Sequence, residues 1–156
     1  GGLFLFDEMD ASLPQALMPF NGALANSHHD FPDNIVEKSD KFACIAAANT
    51  FGLGADRQYV GRNQLDAATL DRFTPVTMDY DQTLERAIAG NDSWVERVQS
   101  IRKAVFDLKL RFVISPRASI KGAKFLAKGM KQKRVEALTI FAQMDAETIR
   151  KVKAHV

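Results

Sequence analysis

The chain of 156 residues contains one cysteine, Cys44, so no disulfide framework can form, and its apolar surroundings make it a small buried hydrophobe. No stretch approaches the roughly 20 consecutive apolar residues that a membrane-spanning helix needs. The start has neither the basic flank nor the long apolar core of a secretory signal, and the expected address is the cytoplasm. There are no internal repeats and no low-complexity tract, and the composition excludes disordered and collagen-like classes. Histidine is scarce: His28 and His29 with Asp30 are adjacent in a short polar segment, point in different directions, and lack a third spaced ligand, so no metal site is expected there. Trp94 is the only tryptophan and reads as a packing anchor.

What is present is the apolar and charged content of a soluble globular protein, with a formal net charge of +2. That total conceals an asymmetry. Residues 1 to 80 hold five Lys or Arg against eleven Asp or Glu, and residues 81 to 156 hold sixteen against eight. Two units are expected, acidic first and basic second.

Leu3 to Phe6 and Phe42 to Ala48, "FACIAAA", are short continuous apolar runs that suit strands covered on both faces of a parallel sheet. Between them Ser12 can cap a helix with Pro14 in its first turn, and residues 26 to 41 read as a loop or small hairpin. The segment "LDAATLDRF" at Leu65 to Phe73 reads as a short helix, and Thr74 to Tyr80 as a third strand. From Asp81 onward the pattern is helical. Ser93 and Glu96 suggest a capping box ahead of Val95, Val98, Ile101, Val105 and Leu108. Ser115 before Pro116 caps a helix that should stop at Gly129; further helices follow at about Gln132 to Gln143 and, capped by Asp145, at Ala146 to Ala154.

An acidic α/β part to about residue 80 and an all-helical part after it follow from this order. In a parallel sheet, functional groups collect beyond the carboxyl ends of the strands, where Asp7, Glu8 and Asn49 all fall. An apolar strand ending in Asp-Glu suits metal binding by the first acid and positioning of an attacking water by the second. Asn49 can contact a terminal phosphate without adding negative charge, or it can simply close a turn. Arg72 in "LDRF" can project toward a phosphate in a neighbouring subunit, or pair with Asp71 or Asp66. Arg117 in "SPRA" sits in the first turn of a helix, free to reach a phosphate or to remain an ordinary surface arginine.

Taken in order, "LFLFDE", "IAAANT", "LDAATLDRF" and "SPRA" resemble the Walker B, sensor 1, arginine-finger and sensor 2 elements of the AAA+ ATPases over essentially the whole chain. The wording "NTFGLGADRQYVGRNQLDAATLDRF" is most similar to the MoxR-like branch, in particular the ATPase subunit of aerobic cobaltochelatase. The resemblance implies a partial P-loop NTPase sheet followed by a helical lid domain, with ATP and Mg²⁺ as cofactors and a homo-oligomeric ring, usually a hexamer. It also implies roles: Asp7 binds Mg²⁺, Glu8 activates water, Asn49 is sensor 1, Arg72 acts in trans, and Arg117 is sensor 2. Arg57 or Arg62 would be a second trans arginine. A protein substrate and a partner carrying a von Willebrand factor A domain are further implications.

The sequence departs from the family at one point. No Gly-Lys dipeptide occurs, so the phosphate loop G-x-x-x-x-G-K-[ST] is missing, and "GLGADR" does not replace it. The chain is accordingly expected to be the C-terminal part of a longer ATPase, with a gap in its sheet, exposed edges prone to dimerise or aggregate, and no detectable turnover alone. A non-catalytic assembly module is the alternative. A third reading, nucleic-acid binding through Lys121, Lys124, Lys128, Lys131, Lys133 and Arg134, ranks behind these: the cluster has no interleaved aromatics and no groove-reading motif, and supports at most non-specific binding.

Overall fold

In a computed structural model, which describes residues 2–156, the run Leu3–Phe6 forms strand β1. A single 3-10 turn at Met9–Ala11 leads to helix α1, Pro14–Ala25. Strands β2, His28–Asp30, and β3, Ile35–Glu37, form an antiparallel hairpin within the polar segment, and β4 is Ala43–Ala46. A short helix α2, Ala67–Leu70, closes this part. These elements belong to the first of two compact units, Gly1–Thr77, and the second is Met78–Val156.

β1 and β4 pair in parallel with Leu3 opposite Ala43 and Phe6 opposite Ala46. Parallel neighbours need a long crossover, which α1 and the hairpin supply. Side chains alternate along a strand, so Phe4 and Phe6 share one face. Phe20 of α1 covers that face, with ring centroids 5.6 Å from Phe4 and 4.9 Å from Phe6. The other face is not covered as the apolar run suggested: Leu3 and Leu5 are 68% and 59% exposed. An unbroken apolar run marks residues that can be buried on both faces, and among the described residues no helix covers the face of Leu3 and Leu5. The core of this unit is correspondingly small, with Met9, Leu17 and Leu65 buried and Phe6, Ala46, Leu70 and Phe73 packed around them.

Two further expectations fail in this unit. Thr74 to Tyr80 is exposed and forms no strand: among the described residues it joins neither the β1-β4 nor the β2-β3 sheet, although both have unpaired edges. Ser12 does not cap α1: its N–H donates to Met9 O as the 3-10 turn ends, and the helix starts after Leu13 with Pro14 fixing the first turn.

The second unit is helical throughout: α3 Gln82–Ala89, α4 Asp92–Asp107, α5 Pro116–Ala127, α6 Gln132–Thr139 and α7 Ala146–His155. Gly90, with φ 65°, ends α3 and leaves Asn91 extended, so Asn91 rather than Ser93 caps α4 and accepts the Trp94 N–H at 3.1 Å. Glu96, freed from the expected capping box, lies 3.6 Å from Arg86. Ser115 and Asp145 cap α5 and α7 as read, and Gly129, with φ 82°, follows the end of α5. α6 stops four residues short of Gln143, because the chain turns to bring Ile140, Phe141 and Met144 into the core.

That core is much larger than the first, running from Trp94, Val98 and Ile101 on α4 to Val135 on α6 and Val152 on α7. Trp94 lies flat against Gly122 of α5, and its indole N–H donates to Ser119 O at 3.1 Å. A buried polar network pins three helices together. Glu85 on α3 receives Arg102 of α4 through two nitrogens at 2.6 and 2.9 Å, and the Ser119 hydroxyl of α5 at 2.5 Å. No helix is long and apolar enough to cross a membrane among the described residues.

Candidate functional site

Because β1 and β4 run parallel and in register, both deliver their following residues to the same end of the sheet. The chain leaves β1 through Asp7 and Glu8, and the Ala47 N–H donates to Phe6 O at 2.9 Å while the Met9 N–H donates to Ala47 O at 3.0 Å. These two bonds carry the pairing past the strands proper. Asp7 and Glu8 are exposed, and the Glu8 N–H donates to Asp7 Oδ1 at 3.0 Å. Glu8 has φ 52° and ψ 41°, the left-handed region that non-glycine residues seldom occupy, so a surrounding contact must hold it.

That contact comes through Asp10, which is 0% exposed. One of its oxygens, Oδ2, accepts three hydrogen bonds from the residues that follow β4: the Asn49 N–H at 3.1 Å, the Thr50 N–H at 2.9 Å and the Thr50 hydroxyl at 2.9 Å. The other oxygen, Oδ1, makes no hydrogen bond but sits 3.4 Å from Arg62 Nη1, an ionic contact without hydrogen-bond alignment. The same Arg62 nitrogen is 3.5 Å from Glu8 Oε2. Asp10 also accepts the Asn63 N–H through its backbone carbonyl at 2.7 Å. One buried carboxylate thus joins the end of β1, the end of β4 and the segment around residue 62. With its N–H committed to Asp10, Asn49 is exposed at the same sheet end as the two acids.

The glycine-rich segment is held as a closed loop rather than an open cradle. Leu53 and Gln64 form an isolated bridge, and the Leu65 N–H donates to Gly52 O at 2.9 Å. Gly52 has φ 73°, and a Cβ there would lie 2.7 Å from the Leu70 side chain, so only glycine fits. Arg57 is exposed on this loop, whereas Arg62 is engaged within its own chain by Asp10 and Glu8.

Asp66 caps α2. The Thr69 N–H donates to its side chain at 3.0 Å and the Thr69 hydroxyl at 2.9 Å, and these bonds hold the Asp66 carboxyl below the usual range. Asn21 of α1 donates to the Thr69 hydroxyl at 2.6 Å, which anchors α2 to α1. Arg72 follows α2, is exposed, and folds back so that Nη1 donates to Ala68 O. Arg117 belongs to the second unit; it is exposed in the first turn of α5, and its N–H donates to Ser115 Oγ at 3.3 Å. Cys44, half-buried on β4, has its thiol pKa pushed up by burial, which lowers its reactivity.

The acids fit part of a metal–nucleotide site. Magnesium is taken up by one or two carboxylates together with phosphate and water oxygens, and the exposed Asp7 carboxylate is such a hard donor. No group of three or more His, Cys, Asp and Glu converges among the described residues. No phosphate cradle accompanies these residues in the sequence. Asp10 and the inward engagement of Arg62 escaped the sequence reading: an aspartate two residues after an acidic tip has no periodic signature that marks it as buried. No known protein-family signature matches this chain, and no curated protein matches it.

Proposed function

We propose that residues 1 to 80 carry the metal- and water-handling half of an ATP site of the AAA+ type, and that the function belongs to an ATP·Mg-dependent remodelling or metal-insertion motor of the MoxR-like or cobaltochelatase kind. The observation that supports this reading best is the parallel register of β1 and β4, which puts Asp7, Glu8 and Asn49 at one sheet end, tied by the buried Asp10. Bound Mg·ATP supplies the electrophilic phosphorus and the charge that neutralises its oxygens.

Within this reading Asp7 holds the metal, and Glu8, the next residue beyond the same strand end, orients water. Asn49 offers a neutral amide toward the terminal phosphate. Arg72 acts in trans across a ring interface, and Arg117 is the sensor 2 arginine of the helical lid. The ring, a protein substrate and a von Willebrand factor A-domain partner complete the proposal.

The test does not depend on turnover. Mn²⁺, a paramagnetic stand-in for Mg²⁺, is added with ATP to the isotope-labelled chain, and amide signals are followed. Selective broadening of Asp7 to Asp10 and of Asn49 and Thr50, lost in Asp7→Asn, is the expected result. Broadening that ignores these residues, or persists unchanged in Asp7→Asn, refutes the assignment.

A further inference from the structure

Between Asp107 and Glu136 the chain has no acidic residue but nine Lys or Arg. The fold arranges part of this run in a way that its composition does not reveal. On α5, Arg117, Lys121, Lys124 and Lys128 recur at steps of four, three and four, and all are exposed. The opposite face, Ala118, Ser119, Gly122 and Ala123, is buried against the core. Within α5 itself the exposed residues are Arg117, Lys121, Lys124 and Ala127, so the outer surface is cationic with no large apolar side chain. Lys131, Lys133 and Arg134, all exposed, continue the charge into the start of α6.

Pairing sets this surface apart from the rest of its unit. Outside the acid-free run the second unit has seven Lys or Arg, and six of them lie within 4.0 Å of a carboxylate: Arg86, Arg97, Arg102, Lys103, Lys151 and Lys153. Among the described residues, none of the nine inside the run does so. Like charges three and four residues apart weaken a helix, a cost that an ordinary solubilising face avoids by interspersing acids.

We propose that the outer face of α5, continued by the start of α6, is a docking surface for the phosphate backbone of nucleic acid, read by charge and not by sequence. From Arg117 to Lys128 the stripe is about 16 Å long, matching about five successive phosphates of one strand. A protein partner would need a buried aromatic or aliphatic anchor and a lipid surface would need large apolar side chains beside the cations; α5 exposes only Ala127 between them. The absence of aromatics removes base stacking and leaves a backbone-directed, sequence-blind interaction. Arg117 is shared with the proposed ATP site, whereas Lys121, Lys124 and Lys128 have no part in it, so variants that leave Arg117 in place test this surface separately.

Anisotropy of labelled single strands and duplexes of about 20 nucleotides, titrated with the full chain, tests it. Four phosphate contacts predict that log K falls with log[salt] with a slope of about −3, a loss of about 50- to 150-fold between about 50 and 200 mM, with little change on scrambling the sequence. The combined variant Lys121→Gln, Lys124→Gln, Lys128→Gln is expected to make the slope shallower by about 2 and to weaken binding about a hundredfold at 0.1 M salt. The corresponding Lys→Arg variant retains both slope and affinity. Trp94 fluorescence verifies that both variants are folded. Affinity that is flat with salt overturns the proposal, as does a glutamine variant that binds like the unmodified chain. So does tighter binding, at the same salt, to polyglutamate or to phosphatidylserine vesicles than to nucleic acid.

Discussion

Removing the Asp10 carboxylate should unfasten the candidate site while leaving the helical unit folded. In Asp10→Ala, the Asn49 N–H, the Thr50 N–H and the Thr50 hydroxyl lose their acceptor together, and Arg62 loses its buried counter-charge. Breaking a buried ion pair from one side costs about 3–5 kcal/mol. Arg62 can still meet Glu8 at the surface, which pulls the figure to the lower end, while each donor left dry adds about 1–3 kcal/mol where water cannot replace Asp10. Asn49 is exposed and Thr50 half-buried, so water recovers part of that loss, and about 3–5 kcal/mol is the working value. A unit of this length has a total stability on the order of 4–11 kcal/mol, and a core of Met9, Leu17 and Leu65 belongs at the low end.

Asp10→Ala is therefore expected to leave the first unit largely unfolded near its marginal limit. Asp10→Asn, which keeps one acceptor oxygen and the side-chain volume, should lose less than half as much. Amide hydrogen exchange at Asn49, Thr50 and Asn63 reads the effect directly, and Trp94, the only tryptophan, reports the second unit separately. Exchange at Asn49 and Thr50 as slow in Asp10→Ala as in the unmodified chain would refute the assignment of Asp10 as the fastener.

Three further outcomes are expected. Glu85→Ala should destabilise the helical unit by about 3–5 kcal/mol in urea titrations followed by Trp94, because Arg102 keeps a buried charge without its partner. Burial alone would raise the Glu85 pKa, but the hydrogen bonds from Arg102, Ser119 and Gln99 outweigh it and hold the carboxyl below its ordinary value. The stability it confers is thus complete above the unfolded-state pKa and fades as pH falls through the lower folded one, a dependence that the alanine variant should lack. Gly122→Ala puts a methyl 2.3 Å from the Trp94 ring, so α5 must move; a loss of about 1–3 kcal/mol and a shifted Trp94 emission maximum are expected, and unchanged values would mean that the contact is loose. Leu3→Thr with Leu5→Thr, on the uncovered face of β1, should reduce dye binding and self-association without lowering the melting temperature.

Local grammar made much of this fold legible. Caps at Ser115 and Asp145, the stop at Gly129 and the apolar strand ending at Asp7 follow from backbone groups that must be satisfied within a few residues. Where two local signals competed, the sequence alone could not rank them. Ser93 with Glu96 made a plausible box, but a left-handed Gly90 moved the helix start to Asn91. Elements defined by a partner were read least well. Thr74 to Tyr80 has strand composition but pairs with neither described sheet, and the outer face of β1 has strand composition and no layer above it. Hydrophobic pattern reports the capacity to be buried, and only the other elements present decide whether that capacity is used.

The same limit governs the candidate site. The exposed acids Asp7 and Glu8 stood out because charge at a strand tip breaks an apolar pattern. Asp10, which holds them in register with Asn49, did not, because a buried aspartate looks the same in sequence as a solvated one; its identity lies in partners 39 to 52 residues away. Arg62 shows the converse. In sequence it is as available as Arg57 to act across an interface, yet its guanidinium is already shared between Glu8 and Asp10. For Arg62 to reach a neighbouring subunit, Asp10 would have to surrender its only counter-charge among the described residues while itself fully buried. That cost of several kcal/mol, on the scale of breaking a buried pair, argues that Arg62 serves its own chain; under the proposed ring, any role in trans would then fall to the exposed Arg72 or Arg57.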